Sequence, residues 1–291
     1  MNLIHRALVA ILVCLTLAAA VSPAPAQTPA TCQELRVMTF NIRYGTAQDG
    51  EDHWSKRKGL TFGVISEHKP DVVGLQEALR FQIDEILAAV PGYALLGVGR
   101  DDGKMQGEHA AILYRTDRLK VGQHGNFWFS DTPNAPGSKH WGNQITRMCT
   151  WARFESLDGG NSFYLFNVHL DHQSQPSREK SVQLLLERID DREFRDPVIA
   201  TGDFNAGESN PAVTAMKRAF KDSFRMLHPE ATDVATFNGF KNPSTGTDKI
   251  DHIFVGPSVE VREAAILRDQ TGGRFPSDHF PVTATVCIPR K

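Results

Sequence analysis

Only four cysteines occur in the 291 residues, and Cys14, Cys32, Cys149 and Cys287 are too scattered for a thiolate zinc site. No apolar run after Val21 is long enough to span a bilayer. Repeats, low-complexity tracts and an evident linker are also missing, which favours one folded domain. The chain has no basic excess: 32 Lys and Arg stand against 34 Asp and Glu, a formal charge of −2. That argues against an avid nucleic-acid binder, and the lack of a basic strip with interleaved aromatics gives no support for broad single-strand binding. A nuclease whose attraction for phosphate is local and metal-borne is not excluded.

What is present begins with a leader. The opening MNLIHR carries Arg6, an apolar run covers Ala7 to Val21, and Ala24-Pro25-Ala26 has the small-x-small form of a secretory cleavage site. Residues 1–26 are expected to be a signal peptide and 27–291 the mature domain. The alternative, a membrane anchor, needs about 20 apolar residues, more than this run has. Cys14 follows Val13 rather than a small residue, which argues against a lipoprotein. The mature chain is expected in the periplasm or the medium, as a monomer with no membrane span. Removing Arg6 leaves 31 basic and 34 acidic residues, a charge of −3. In such a compartment disulfides persist. Cys32 precedes the first strand and Cys287 lies near the end of the last, so these two meet if the terminal strands run antiparallel side by side. Cys149, in MCTW, reads as a buried small hydrophobe.

Strand and helix patterns alternate along the chain. Strands are expected at Leu35 to Ile42, Val72 to Leu75, Tyr93 to Val98, Ala110 to Tyr114, Leu119 to Gln123, Thr150 to Phe154, Phe163 to Val168, Val198 to Ala200, Ile250 to Val255, Val259 to Leu267 and Val282 to Ile288. Helices are expected at Ser55 to His68, Ala78 to Val90, Ser177 to Asp190 and Ala212 to Phe220. Phe127 to Asn143, rich in Pro, Gly and Trp, reads as a loop over a site. Several strands follow one another too closely for crossover helices, so much of the sheet must be antiparallel.

Five segments place polar residues that an ordinary core strand does not need at or just beyond the end of an apolar run: Asn41, Glu77, His169 with Asp171, Asp203 with Asn205, and Asp251; Ser277-Asp278-His279, after Phe275-Pro276, closes the set. A carboxylate closing VVGLQE is costly unless paired, hydrated or bound to a cation; its plainer reading is an acid at a helix N-terminus. With Asn41 it suggests an oxygen-donor site for a hard cation. In GDFN, Gly202 permits a tight turn, Asp203 can take a proton from or align a water, and Asn205 can hold that water; alone, an Asx turn explains it equally. His169 could be a satisfied core histidine. His279 sits beside an acid between Phe275-Pro276 and Phe280-Pro281 and has little structural reason to be there, and Asp251 could orient its imidazole.

TFN at 39–41, QE at 76–77, NVHL at 167–170, GDFN at 202–205, KIDHIF at 249–254 and SDH at 277–279 together resemble the endonuclease/exonuclease/phosphatase superfamily. The resemblance covers essentially the whole mature chain. It implies a DNase I-like four-layer α/β sandwich, two mixed and largely antiparallel sheets packed face to face with outer helices. It favours Cys32 and Cys287 lying close. It also implies that Asn41, Glu77 and Asp278 hold Mg²⁺ or Mn²⁺, that Asp203 activates the attacking water with Asn205 orienting it, that His279 paired with Asp251 contacts the phosphate, and that His169 stabilises the pentacovalent state or the leaving group. The segment 97–115 and the one around NVHLDHQSQ look nearest an uncharacterised bacterial branch on the deadenylase side. Arg100, Arg147, Asp171, His172 and Arg178 are candidates for substrate contact, the alternative being surface or helix-capping charges. The expected activity is metal-dependent hydrolysis of a small or terminal phosphate ester, with a secreted nuclease trimming RNA or DNA ends as the alternative. A non-enzymatic binding protein would be expected to lack one of Glu77, Asp203 or His279, and all three are present.

Overall fold

Period-two alternation assigns each strand residue to a layer. In VVGLQ, Val72 joins an inner cluster with Leu35, Val37, Phe163, Leu165, Ile199 and Ile253, while Val73 and Leu75 face outward onto Ile65, Ile83 and Ile86. In FYLFNVH, Phe163 and Leu165 point in, and Tyr164, Phe166 and Val168 point out onto Val182 and Leu185. Three apolar layers of this kind require two sheets packed on each other, each with helices on its outer face. A computed structural model, which describes residues 32–241 and 246–290, has this architecture. The expected leader lies outside the described residues.

The strands are β1 (Cys32–Asn41), β2 (Val72–Gln76), β3 (Tyr93–Leu96), β4 (Ile112–Arg115), β5 (Leu119–Trp128), β6 (Met148–Ser156), β7 (Phe163–His169), β8 (Val198–Asp203), β9 (Lys221–Asp222), β10 (Asp251–Val255), β11 (Glu260–Ile266) and β12 (Val282–Pro289). The helices are α1 (Trp54–His68), α2 (Arg80–Ala89), α3 (Gln175–Asp190), α4 (Pro211–Ala219) and α5 (Ser223–Leu227). One sheet runs β11-β12-β1-β2-β4-β3 and the other β5-β6-β7-β8-β10-β9. Among the described residues only β1–β2 and β7–β8 pair in parallel. These are the two neighbours joined through a long helix, α1 or α3, as a parallel crossover demands. The DNase I-like sandwich expected from the sequence is therefore the fold.

Two local expectations change. β5 runs to Trp128 because β6 pairs with it as far as Met148, so Phe127 and Trp128 are strand rather than loop. β8 continues through Gly202 to Asp203 instead of turning there: a Cβ at Gly202 would stand 2.3 Å from the Val168 carbonyl oxygen. Close strand packing, not a turn, requires that glycine. The short β9 and α5 had no periodic signal. No helix among the described residues is long and apolar enough to cross a membrane.

β1 and β12 are antiparallel neighbours with Glu34 opposite Cys287, and Cys32 and Cys287 form a disulfide with Cα atoms 5.5 Å apart. Cys149 is a buried free thiol. The bridge closes 255 residues of sequence separation. Replacing both cysteines by serine is expected to cost about 2–4 kcal/mol, chiefly because the bridge restricts the unfolded chain. Urea unfolding of oxidised and variant protein measures this, and equal midpoints would contradict it.

Candidate active site

Ser277 ties the strand ends of the two sheets into one cleft: its hydroxyl donates to the Asn41 carbonyl oxygen at 2.7 Å, placing Asp278 and His279 beside the end of β1. The parallel register of β7 on β8 sets His169 opposite Asp203, and the antiparallel register of β10 sets Asp251 opposite the same residue. Asn41, Glu77 and Asp278 thus come from one sheet, and His169, Asp203 and Asp251 from the other.

Directly beneath the cleft the inner layer turns polar. The Gln76 amide donates to Asn167 Oδ1 at 2.7 Å and to the Thr39 hydroxyl at 3.0 Å. Thr201 donates to the same Asn167 oxygen at 3.1 Å, and Asn167 Nδ2 donates to the Leu75 and Ala111 carbonyls at 2.9 Å each. A Cβ on Gly74 would meet Asn167 Oδ1 and Thr201 Oγ1 at 2.4 Å, so only glycine leaves room for this seam. Each amide lies one or two residues before a site residue. Among the described residues, Gln76 Oε1 alone in this seam has no partner; the paired amides and hydroxyls favour a single arrangement.

Asn41 Nδ2 donates to Asp203 Oδ2 at 2.9 Å and to Glu77 Oε1 at 3.2 Å, while its oxygen accepts the Arg43 amide at 3.0 Å. Asp203 Oδ1 accepts the Asn205 amide at 2.8 Å. His279 Nδ1 lies 2.9 Å from Asp251 Oδ2 and its Nε2 3.9 Å from Asp203 Oδ2. On the opposite wall, Arg147 donates to His169 Nε2 and to His172 Nδ1, each at 2.8 Å. His169 therefore accepts at Nε2 and carries its proton on Nδ1. Arg43, Glu77 and Asn205, three of the six described non-glycine residues with positive φ, line this cleft, so left-handed backbone concentrates where side chains must be aimed.

Electrostatics separates the groups. Burial, with Asp251 beside it, pushes the Asp203 carboxyl up to about 7. Burial would lower His279, but Asp251, Asp203 and Asp278 outweigh it and hold the imidazole well above its ordinary pKa. His169 is held well below, by burial and then by Arg147. At neutral pH one histidine is a cation and the other is neutral. Burial, with the charge of Glu77 adding, also raises Asp278. Carboxyls raised by burial and by a neighbouring carboxylate, as Asp203 and Asp278 are, mark a donor set suited to a hard divalent cation. Asp203, Asp251 and His279 also offer ligand atoms within 4.8 Å of one another. The Asp251–His279 bond already occupies two of these groups; Glu77 and Asp278 are further carboxylates on the cleft wall.

The cleft encloses about 550 Å³ and is lined by Glu77, Arg100, Arg147, His169, His172, Asp203, Asn205, Asp278 and His279 among others. Asn41 and Asp251 sit behind the wall, supporting groups that reach it. Arg100 is held by Glu108 through two 2.7 Å bonds, which compensates its charge. Asp171 and Arg178 do not line the cleft: Asp171 accepts the Gln173 and Ser174 amides before α3 and supports Arg147 from behind, its Oδ2 3.5 Å from Arg147 Nε, and Arg178 binds the Asp171 carbonyl and Gln175. Sequence reasoning missed Arg43, whose Nε lies 3.7 Å from Asp278 and Nη1 3.9 Å from Glu77; its position two residues past Asn41 was the available signal. It also missed Arg57, buried and donating to the Asp52, Pro276 and Arg43 carbonyls, which on an amphipathic helix reads as surface charge.

Residues 38–279 match the Endonuclease/Exonuclease/phosphatase family. The chain is similar to a mannosyl-6-phosphatase from Bacteroides thetaiotaomicron VPI-5482, at 36% identity and a TM-score of 0.81 over 87% of this chain and 99% of that one. It is 26% identical over 265 residues to the exodeoxyribonuclease III of Haemophilus influenzae, covering 76% of this chain and 91% of that protein. The human Nocturnin catalytic domain shares the fold, with a TM-score of 0.71 at 19% identity over 88% of this chain and 93% of that one. A family match running from the first strand to the last site histidine means that the chain belongs to the endonuclease/exonuclease/phosphatase family, whose members are hydrolases of phosphate esters.

Proposed function

We propose that this protein is an exported, divalent-metal-dependent phosphoesterase that hydrolyses a small or terminal phosphate ester by in-line attack of water. The observation that carries the reading is the convergence of a near-neutral carboxyl (Asp203), a cationic imidazole (His279) and a neutral one (His169) on one cleft beside Glu77 and Asp278. Glu77 and Asp278 would hold the cation, with Asn41 orienting Glu77; bound there, Mg²⁺ or Mn²⁺ supplies charge neutralisation for the phosphoryl oxygens. Asp203, fixed by Asn41 and Asn205, takes the proton of the attacking water, a task for which a pKa near the working pH suits it. His279, held by Asp251, donates from Nε2 to a phosphoryl oxygen. Arg147 and His169 steady the opposite side, where negative charge grows on the way to the transition state.

The cleft volume falls in the range of about 300–1,000 Å³ typical of small-ligand sites, and the 36% identical relative is described as a mannosyl-6-phosphatase. Both favour a small monoester over a nucleic-acid end. The disulfide suits a chain matured outside the reducing cytoplasm. With Mg²⁺, release of phosphate from hexose 6-phosphates should exceed, in kcat/KM, the shortening of single-stranded DNA and RNA 20-mers, and EDTA should lower it at least ~100-fold, reversibly on adding Mg²⁺ or Mn²⁺. Faster oligonucleotide shortening moves the protein to the nuclease reading, and indifference to EDTA removes the metal.

A further inference from the structure

A second cavity, of about 510 Å³, opens on the outer face of the β5–β6 edge beside the C-terminal turn of α3, and shares no lining residue with the catalytic cleft. Its floor is a row of aromatic rings on neighbouring strands. Trp151 stacks on Phe166 at 6.1 Å with 23° between planes, and Phe166 on Tyr164 at 6.2 Å and the same angle. Tyr164 and Phe166 are almost fully buried; Trp151 is half-buried and is the ring that meets solvent. A built feature keeps it there: opposite Trp151 on β5 stands Gly125, where a Cβ would come within 3.1–3.2 Å of the indole. The missing side chain lets the indole lie across the strand.

The rim is wired rather than loose. Tyr164 Oη donates to Gln123 Oε1 at 3.2 Å, and the Gln123 amide donates to Glu193. Two cations, Arg188 and Arg192, and two anions, Asp191 and Glu193, line the cavity, so the formal charges cancel. An apolar ring face bordered by fixed donors and acceptors of zero net charge matches a neutral, hydroxyl-rich ring, whose C–H face stacks on indole while its hydroxyls bond to the amide and carboxylates. A phosphorylated or nucleic-acid ligand would need a positive rim. We propose that this cavity is a saccharide-binding subsite, separate from the catalytic cleft, with Trp151 as its platform and Gln123, Asp191 and Glu193 as its hydroxyl partners. The inference does not depend on which ester the catalytic cleft takes.

The test uses the oxidised full-length mature protein, titrated calorimetrically with mannotriose, cellotriose and chitobiose and, for contrast, a 12-mer of single-stranded DNA, while the Trp151 indole N–H resonance is followed. At least one saccharide should bind saturably and shift that resonance. Trp151→Ala should weaken this at least ~10-fold, and so should the exposed double variant Asp191→Ala/Glu193→Ala, whose folding is not at issue. Both variants should hydrolyse p-nitrophenyl phosphate within about two-fold of the parent rate. Binding of no saccharide, binding that survives the rim variant, or DNA binding at the Trp151 resonance overturns the proposal.

Discussion

Asp203→Asn is expected to lower kcat/KM for phosphate-ester hydrolysis at least ~100-fold while leaving the melting temperature unchanged or raised. Both halves come from one local arrangement. Asp203 is buried with Asp251 opposite it on β10, and burial and that neighbour push its carboxyl up to about 7. A folded-state pKa above the unfolded value means that ionising the group opposes folding. The cost is absent below the unfolded pKa near 4, grows as pH rises, and is complete above about 7. Asparagine removes it, so the variant should gain on the parent between pH 4 and 8 in metal-free buffer. The same substitution removes the proton acceptor, and the rise of the parent's rate with pH through about 7 should flatten. Paired rate and melting measurements decide the matter: a variant that melts well below the parent at pH 8, or that keeps its rate, would sink the assignment.

The largest stability effect is expected away from the cleft. Lys249 lies buried with its ammonium 2.6 Å from Asp222 Oδ2 and 2.7 Å from His252 Nδ1, and His252 Nε2 is 3.1 Å from the Ala206 carbonyl. Asp222 also accepts the Arg225 amide at the start of α5. Asp222→Asn leaves a buried ammonium without its counter-ion, which typically costs about 3–5 kcal/mol. In a domain of this size that is a fall on the order of 10 °C in melting temperature. Burial opposes ionisation of Asp222, but Lys249 and then His252 outweigh it and hold the carboxyl well below its ordinary range. A depressed pKa stabilises above the unfolded-state value and is lost as pH falls through the folded one. The gap between parent and variant should therefore be full at pH 7 and close only in strong acid. Adding Lys249→Met to the Asp222→Asn variant should recover much of the loss. A gap of less than about 2 °C at pH 7 would mean that Lys249 tolerates burial without its partner.

Much of the site was legible because apolar strands that end in acids, amides or imidazoles announce where a sheet stops and a crevice begins. Asn41, Glu77, His169 and Asp203 followed that rule, whereas Asp278 and His279 stand in the segment before β12. What was not legible depends on distance in sequence or on a neighbour's backbone. Arg57 looks like surface charge until its three carbonyl partners are seen, 5 to 219 residues away. Glu108 lies in a polar loop with no period to mark it. Gly202 suggested a turn because its true constraint, the Val168 carbonyl, belongs to another strand. β5 outran its apolar pattern because its length is set by β6. Asp171 and Arg178 carried the right charges beside the right motif, yet Asp171 braces the turn before α3 and the back of Arg147, and Arg178 holds the first turns of α3.

The amide seam of Gln76, Asn167 and Thr201 has a bearing on how such a site changes its clientele. It clamps the ends of the two sheets together below the surface, so the spacing between Glu77 on one jaw and Asp203 on the other is set by short side chains in the interior. The segments that form the mouth of the cleft, around Arg100, Ile145 and Phe237, hang outside that clamp. Transplanting those mouth segments from one member of the family to another should then retarget the scaffold while its chemical machinery stays in tune, much as a vice accepts new jaw faces without resetting its screw.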